Sequence, residues 1–233
     1  MNLSKHTIQV LKNFATINSG LLVQPNVQEL RTVSTSKSIF AKAKIEDQFP
    51  QKFAIYDLSQ FLSTLSLFSE PTLSFESESY LTISEGDSNS SRTPSCHYHF
   101  ASENLIMTPP EKDISFPEPE ISFRLENSTL KNLIKAASTL GVPDLAVTKN
   151  SENEIVLVVK DKKNSSSNDF CIPVGEYSEN HSFEFHVQTD NMKMMADDYF
   201  VEISSKGIMR LVSDNIGLEY YVALEATSSS DFS

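Results

Sequence analysis

The sequence predicts an α+β fold of two similar halves, each with two helices packed on antiparallel sheets. Three observations predict it. Four stretches repeat one pattern, apolar residues at helical spacing followed by short runs in which apolar and polar residues alternate. Three of those helices are also preceded by an alternating run, and a proline-rich stretch divides the chain near its middle. Alternation with period two means strands with one buried and one wet face, as in antiparallel sheets.

The helices start at Ser4, Asp57, Asn127 and Asp190. Small polar side chains suit those positions because they accept hydrogen bonds from the unpaired amides of a first turn. Strands 53–56, 121–125 and 183–187 precede the second, third and fourth helices. In the first helix Leu3, Val10, Phe14 and Ile17 form the inner stripe, opposite Lys5, Gln9, Lys12 and Thr16. The second turns Leu58, Phe61, Leu62, Leu65 and Phe68 inward and Ser59, Ser63 and Ser66 outward. The third buries Leu130, Leu133, Ile134, Ala137 and Leu140 and leaves Lys131 and Lys135 outside at i, i+4. The fourth is short, with Lys193 among Met192, Met194 and Met195.

Behind the helices the period switches to two. Leu73/Phe75, Leu81/Ile83 and Tyr98/Phe100 follow the second. Leu145/Val147 and Ile155/Leu157/Val159 follow the third, and Val201/Ile203, Met209/Leu211 and Tyr220/Val222/Leu224 the fourth. Residues 101–119 hold Pro109, Pro110, Pro117 and Pro119, which disfavour helix and sheet interior alike. The division is therefore a first domain over 1–107, a connector over 108–119 and a second domain over 120–233. Serine-rich stretches 86–95 and 163–169 read as hairpin loops, and 227–233 as a frayed tail.

With 39% hydrophobic residues, fifteen Phe and no Trp, the core rests on Leu, Ile, Val and Phe. Neither a leader nor a run of about 20 apolar residues is evident. Cys96 and Cys171, the two cysteines, read as reduced, buried thiols. Six glycines leave little room for phosphate-cradling loops, and no signature of an enzyme or metal site appears. His97 and His99 share a strand face beside Cys96 and read as structural; Asp197–Asp198 reads as a solvated turn. No cofactor is expected.

Taken as a bare sum, the net charge of −12 argues against nucleic acid, whose phosphates attract clustered cations. Its distribution argues the other way. None of the 31 Asp and Glu residues falls inside the four helices past their caps, whereas solvated helices ordinarily carry acids paired with lysine. Neutral-to-basic helix faces in an acidic chain suit a polyanion.

Several segments then resemble one family. LSK at 3–5, LKNFATINSG at 11–20, AIYDL at 54–58, FLSTLSLF at 61–68, NMKM at 191–194 and YVALEA at 221–226 stand in the order found in the sliding clamps of T4-like bacteriophages. The resemblance implies the DNA-clamp fold, a ring-forming homotrimer and no enzyme activity. It also implies double-stranded DNA held without sequence specificity, a DNA polymerase made processive, an ATP-dependent clamp loader, and sigma-like and coactivator proteins of late transcription as partners. The location implied is the cytoplasm of the infected host. On this reading Lys5, Lys12, Lys131, Lys135 and Lys193 face DNA. Leu105, Ile106, Met107, Tyr221, Ala223 and Leu224 are candidates for a pocket that takes partner peptides, against the plainer role of core residues. The alternative is a β-rich viral structural or assembly protein without a DNA role.

Overall fold

A computed structural model describes residues 1–86, 94–110 and 112–232, so most of the 86–95 loop expectation lies outside the described residues. The chain divides into two compact units, Met1–Ser36 with Phe40–Glu111, and Lys37–Ile39 with Lys112–Ser233.

The first unit opens with α1 (Lys5–Ile17), where the Ser4 side chain accepts the Thr7 amide. Val10, Leu11, Phe14 and Ile17 are buried, and Lys5, Gln9, Lys12 and Thr16 are exposed, as their spacing requires. β1 (Leu21–Val23), β2 (Glu29–Val33), β3 (Ile39–Lys44) and β4 (Phe53–Ile55) follow, with β1 pairing antiparallel to β4 and β2 to β3. Asp57 caps α2 (Leu58–Leu65) through the Gln60 amide, and Leu58, Phe61 and Leu65 are its buried residues. β5 (Pro71–Ser74), β6 (Tyr80–Glu85) and β7 (Ser95–His99) form an antiparallel sheet in that order. Tyr98 of β7 meets Phe61 edge-on at 5.1 Å and donates its hydroxyl to the Asp57 carbonyl, which ties α2 to the sheet. A 3-10 turn at Glu103–Leu105 ends the described elements of this unit.

In the second unit β8 (Ile121–Leu125) alternates buried and exposed residues cleanly and leads into α3 (Asn127–Leu140). β9 (Asp144–Lys149), β10 (Glu154–Lys160), β11 (Phe170–Glu176) and β12 (Phe183–Gln188) give one antiparallel sheet, ordered β11-β10-β9-β12. The 163–169 loop joins β10 to β11 as expected. β13 (Tyr199–Ser204), β14 (Ile208–Ser213) and β15 (Leu218–Ala223) pair antiparallel in succession, with β8 on the far side of β13. β16 (Ser229–Ser230) lies against β12.

Six expectations need correction. The fourth helix is only a 3-10 turn at Thr189–Asn191. The Met195 amide is instead given to the Tyr220 hydroxyl, and its carbonyl accepts from the Tyr199 hydroxyl. Asn127 is the first residue of α3 rather than its cap, and its amide is capped from afar by Asp198 Oδ1 at 2.9 Å. Asp198 also binds Arg124, and Asp197 accepts from Ser213, so the pair is a bonded corner rather than a solvated turn. Ile134 lies on the rim of the apolar stripe and is exposed, and Cys171 is exposed and Cys96 half-buried, both as free thiols on edge strands. Finally, the stretch after Thr227 is pinned rather than frayed: β16 pairs with β12 and the Phe232 ring stacks on Phe183 and Phe185.

Candidate nucleic-acid interface

α1 and α3 share one design. Each buries an apolar stripe and presents lysines at helical spacing on the opposite side. Lys5 and Lys12 are exposed two turns apart on α1, and Lys131 and Lys135 one turn apart on α3. Among the described residues none of these four ammonium groups forms an ion pair, and no carboxylate lies in α1, α2 or α3. Their charge is therefore uncompensated on the helix faces, while the strands and loops hold the acids. α2 exposes Ser59, Gln60 and Ser63 and no lysine. Lys193 is exposed on the irregular segment after the 3-10 turn, so it shares no helix face with the others.

The helices are held rigidly at their ends. The Asn18 side chain, buried past the end of α1, donates to the Met107 carbonyl at 3.0 Å and accepts the Gly20 amide. At the start of α3 the Asn127 amide and then Arg124 hold the Asp198 carboxyl below the usual carboxylate range. At its end Gly141 takes the left-handed conformation, with φ of +66°, that lets a helix stop there.

The six residues named for a partner pocket fall into two sets, one in each unit. In the first, Leu105 and Met107 are exposed, while Ile106 is buried with its side chain toward Gly20. A cleft of about 520 Å³ in the same unit is lined by Leu22, Val27, Lys52, Glu103, Pro109 and Pro110 among others. In the second, Tyr221 is buried, Ala223 exposed and Leu224 between the two. Tyr221 belongs to a stack that the sequence reading missed: Arg210 lies 5.9 Å from the ring centres of both Phe116 and Tyr221. Arg210 is itself held between Glu202 and Glu219. Phe116 was legible as the one aromatic residue within the proline-rich connector, but its partners were not.

His97 and His99 flank the Tyr80 ring at 4.5 and 5.4 Å, a packing role for both. No group of three His, Cys, Asp or Glu residues suited to a metal occurs among the described residues.

Two family models match the chain, "DNA polymerase processivity factor" over residues 3–97 and "gp45 sliding clamp, C terminal" over 122–226. The sliding clamp of Vibrio phage KVP40 is 35% identical over 97% of this chain and all of its own length. That of Enterobacteria phage T4 is 30% identical over the full length of both. Among solved structures, the A. fulgidus PCNA, seen with the C-terminal region of FEN-1 bound, shares the fold at a TM-score of 0.68. That match covers 95% of this chain and 96% of the other at 14% identity. Two units built on helices and antiparallel sheets, lysine-bearing helices free of acids and full-length kinship with named clamps agree: the chain belongs to the sliding-clamp family of T4-like phages and is a DNA polymerase processivity factor.

Proposed function

We propose that three copies of this chain close head to tail into a ring around duplex DNA, and that the ring tethers the replicative polymerase to its template. The observation that carries this reading is the separation of charge, with lysines on α1 and α3 and no carboxylate in α1, α2 or α3, in a chain of net charge −12. Lys5, Lys12, Lys131, Lys135 and Lys193 face the phosphates through water. Lysine suits that role as a mobile, hydrated point charge, where arginine would grip phosphate through a bidentate fork. Retention is topological, so weak contacts suffice and sliding is preserved. The acidic outer elements limit unspecific adsorption.

Ring closure also accounts for exposed strand edges. β7 and β11 are the outermost strands of their sheets among the described residues, each with one side unpaired. An open edge invites uncontrolled pairing unless a partner covers it, and a closed symmetric ring does so. The organisation that serves this is a clamp domain over 1–107, a connector over 108–119 and a second clamp domain over 120–233.

The clamp does no covalent chemistry of its own, so it is not an enzyme; an ATP-dependent loader opens and closes the ring. Short apolar peptides of the polymerase and loader dock on the exposed Leu105 and Met107 and on the Ala223–Leu224 end of β15, with Ile106 and Tyr221 as the supporting layer. The C-terminal region of FEN-1 seen bound to the A. fulgidus protein supports recognition of a partner through a segment of its chain. Sigma-like and coactivator proteins of late transcription use the same mobile platform. The setting is the cytoplasm of the infected bacterium, in keeping with the phage relatives and with no helix of the described residues long and apolar enough to cross a membrane.

The test loads the protein with its loader and ATP onto circular primed DNA and onto the same DNA linearised. Retention and processive synthesis on the circle, with loss from free ends, are expected. Equal retention on both forms refutes the topological mechanism.

A further inference from the structure

α2 adds no lysine to the basic helix faces, and one of its rows borders a cleft instead. Tyr56, Gln60 and Thr64 recur every fourth residue, so they form a single row beside the buried stripe of Leu58, Phe61 and Leu65. With Cys96 and Tyr98 of β7 they line a cleft of about 440 Å³. No Asp, Glu, Lys or Arg lines it, and no residue of β6 does, so it opens on the side of β7 that faces away from its sheet. Tyr56 at its rim is 64% exposed.

The other open edge, β11, carries an aromatic residue of matching character. Opposite residues of paired strands share a face. Phe170 and Ile172 stand opposite Val159 and Leu157, both buried, so they belong to the core side of that sheet, where α3 packs. Phe170 is nevertheless 38% exposed, a large ring left at the rim. Cys171 stands opposite Val158 on the outer face. Beyond Ile172 the regular stretch ends, because Pro173 has no N–H to give and the register against β10 shifts before Gly175.

We propose that the cleft between α2 and β7 receives Phe170 of a second copy of this chain, so that β11 of one copy joins β7 of the next and Phe170 anchors the joint. The proposal rests on the ring reading above and adds to it the residue that holds each joint and a role for the lysine-free helix.

Strand addition draws affinity from main-chain hydrogen bonds and specificity from pockets that take alternate side chains. A sheet continued across the joint keeps its faces. On β7, Cys96 and Tyr98 stand opposite Ile83 and Leu81 on the side where Tyr98 meets Phe61 of α2. The core-side residues of an incoming β11 are Phe170 and Ile172, and they arrive on that same side, against α2. Cys171 arrives on the opposite face from Cys96, so the joint brings no two thiols together. With so few regular residues in β11 before Pro173, the ladder is short, and a buried aromatic anchor carries most of the strength of such a contact. The two surfaces differ, so the contact is head to tail and closes into a ring when its rotation allows.

Sedimentation across a concentration series reads the assembly. The parent is expected to form a trimer that dissociates on dilution. Phe170→Ala, at a part-exposed side chain, is expected to keep the circular dichroism of the parent and to weaken each joint about thirtyfold, the scale of a lost aromatic anchor. Phe200→Ala removes another exposed ring, from an interior strand of a different sheet, and is expected to leave assembly unchanged. Thr64→Trp fills the cleft from its α2 wall and is expected to weaken assembly as well, with the double substitution no worse than either alone. A parent trimer that survives Phe170→Ala overturns the anchor and leaves the ring reading standing, as do effects of Phe170→Ala and Thr64→Trp that add in full. A parent that is monomeric at every concentration refutes the ring reading itself, and the anchor with it.

Discussion

Replacing Tyr220 by Phe is expected to destabilise the second unit in a way that depends on alkali. Tyr220 and Tyr199 are buried side by side, with ring centres 6.0 Å apart, beneath the segment where helical spacing pointed to a fourth helix. Tyr220 accepts the Met195 amide, and Tyr199 donates to the Met195 carbonyl. The substitution leaves that amide without its acceptor. The cost of such a loss is roughly 1–3 kcal/mol, and each kcal/mol lowers Tm by about 2–4 °C in a chain of this size. Burial pushes the Tyr220 hydroxyl up to about 12 and raises that of Tyr199 further still. In the unfolded chain both ionise near 10. Because the folded values are raised, the stabilisation from these neutral hydroxyls is complete below about pH 10 and is lost as the pH climbs from there through about 12. Each tyrosine contributes a slope of about 1.4 kcal/mol per pH unit across that window, so the substitution removes roughly half of what the pair contributes. Urea unfolding at a series of alkaline pH values measures it. An unchanged midpoint at neutral pH together with an unchanged alkaline slope would refute the reasoning.

Other perturbations reach the charge distribution. Lys12→Glu combined with Lys131→Glu is expected to weaken loading onto DNA and to shallow the log–log salt dependence by about 0.9 for each lysine that neutralises a phosphate; loading that is normal at every salt concentration counts against the inner-face assignment. Asp144→Ala breaks a nearly buried pair with Lys162 and is expected to cost about 3 kcal/mol in chemical denaturation, the low end because Lys162 retains Glu225. Burial alone would raise the Asp144 carboxyl, but the hydrogen bonds from Lys162 outweigh it and hold it below the usual range. The pair's stabilisation is therefore complete above the ordinary Asp value near 3.9 and is lost as acid titrates the folded group; Asp144→Ala is expected to lose that acid limb.

Much of this was legible where one physical rule acted locally. Ser4 and Asp57 cap their helices with their own side chains, and the stripes of α1 and α2 and the alternation of β8 and β6 follow from spacing alone. β11 was harder, because Pro173 and Gly175 sit beside a register shift against β10 that hides any clean alternation. The short helix after β12 failed because two tyrosines hold the Met195 peptide group, Tyr199 from four residues on and Tyr220 from a strand twenty-five residues away that local spacing does not announce. The pinned end of the chain escaped notice because a run of serines reads as tail, while Phe183 and Phe185, which Phe232 covers, lie some fifty residues upstream. In the candidate interface the absence of carboxylates was visible at once. Arg210 and Phe116 became partners of Tyr221 only once the sheet had formed.

The cap on α3 bears on the order in which the protein is made. The helix that presents Lys131 and Lys135 begins at an amide satisfied by Asp198, seventy-one residues further along. As the chain leaves the ribosome, α3 emerges well before its cap exists, and Glu126 at its own threshold offers no side-chain substitute. Only when β13 is laid beside β8 does Asp198 come within reach. The start of this lysine-bearing helix is therefore fixed late, after synthesis of the second unit is nearly complete, and an arrested chain ending before residue 198 would carry α3 with its first turn open.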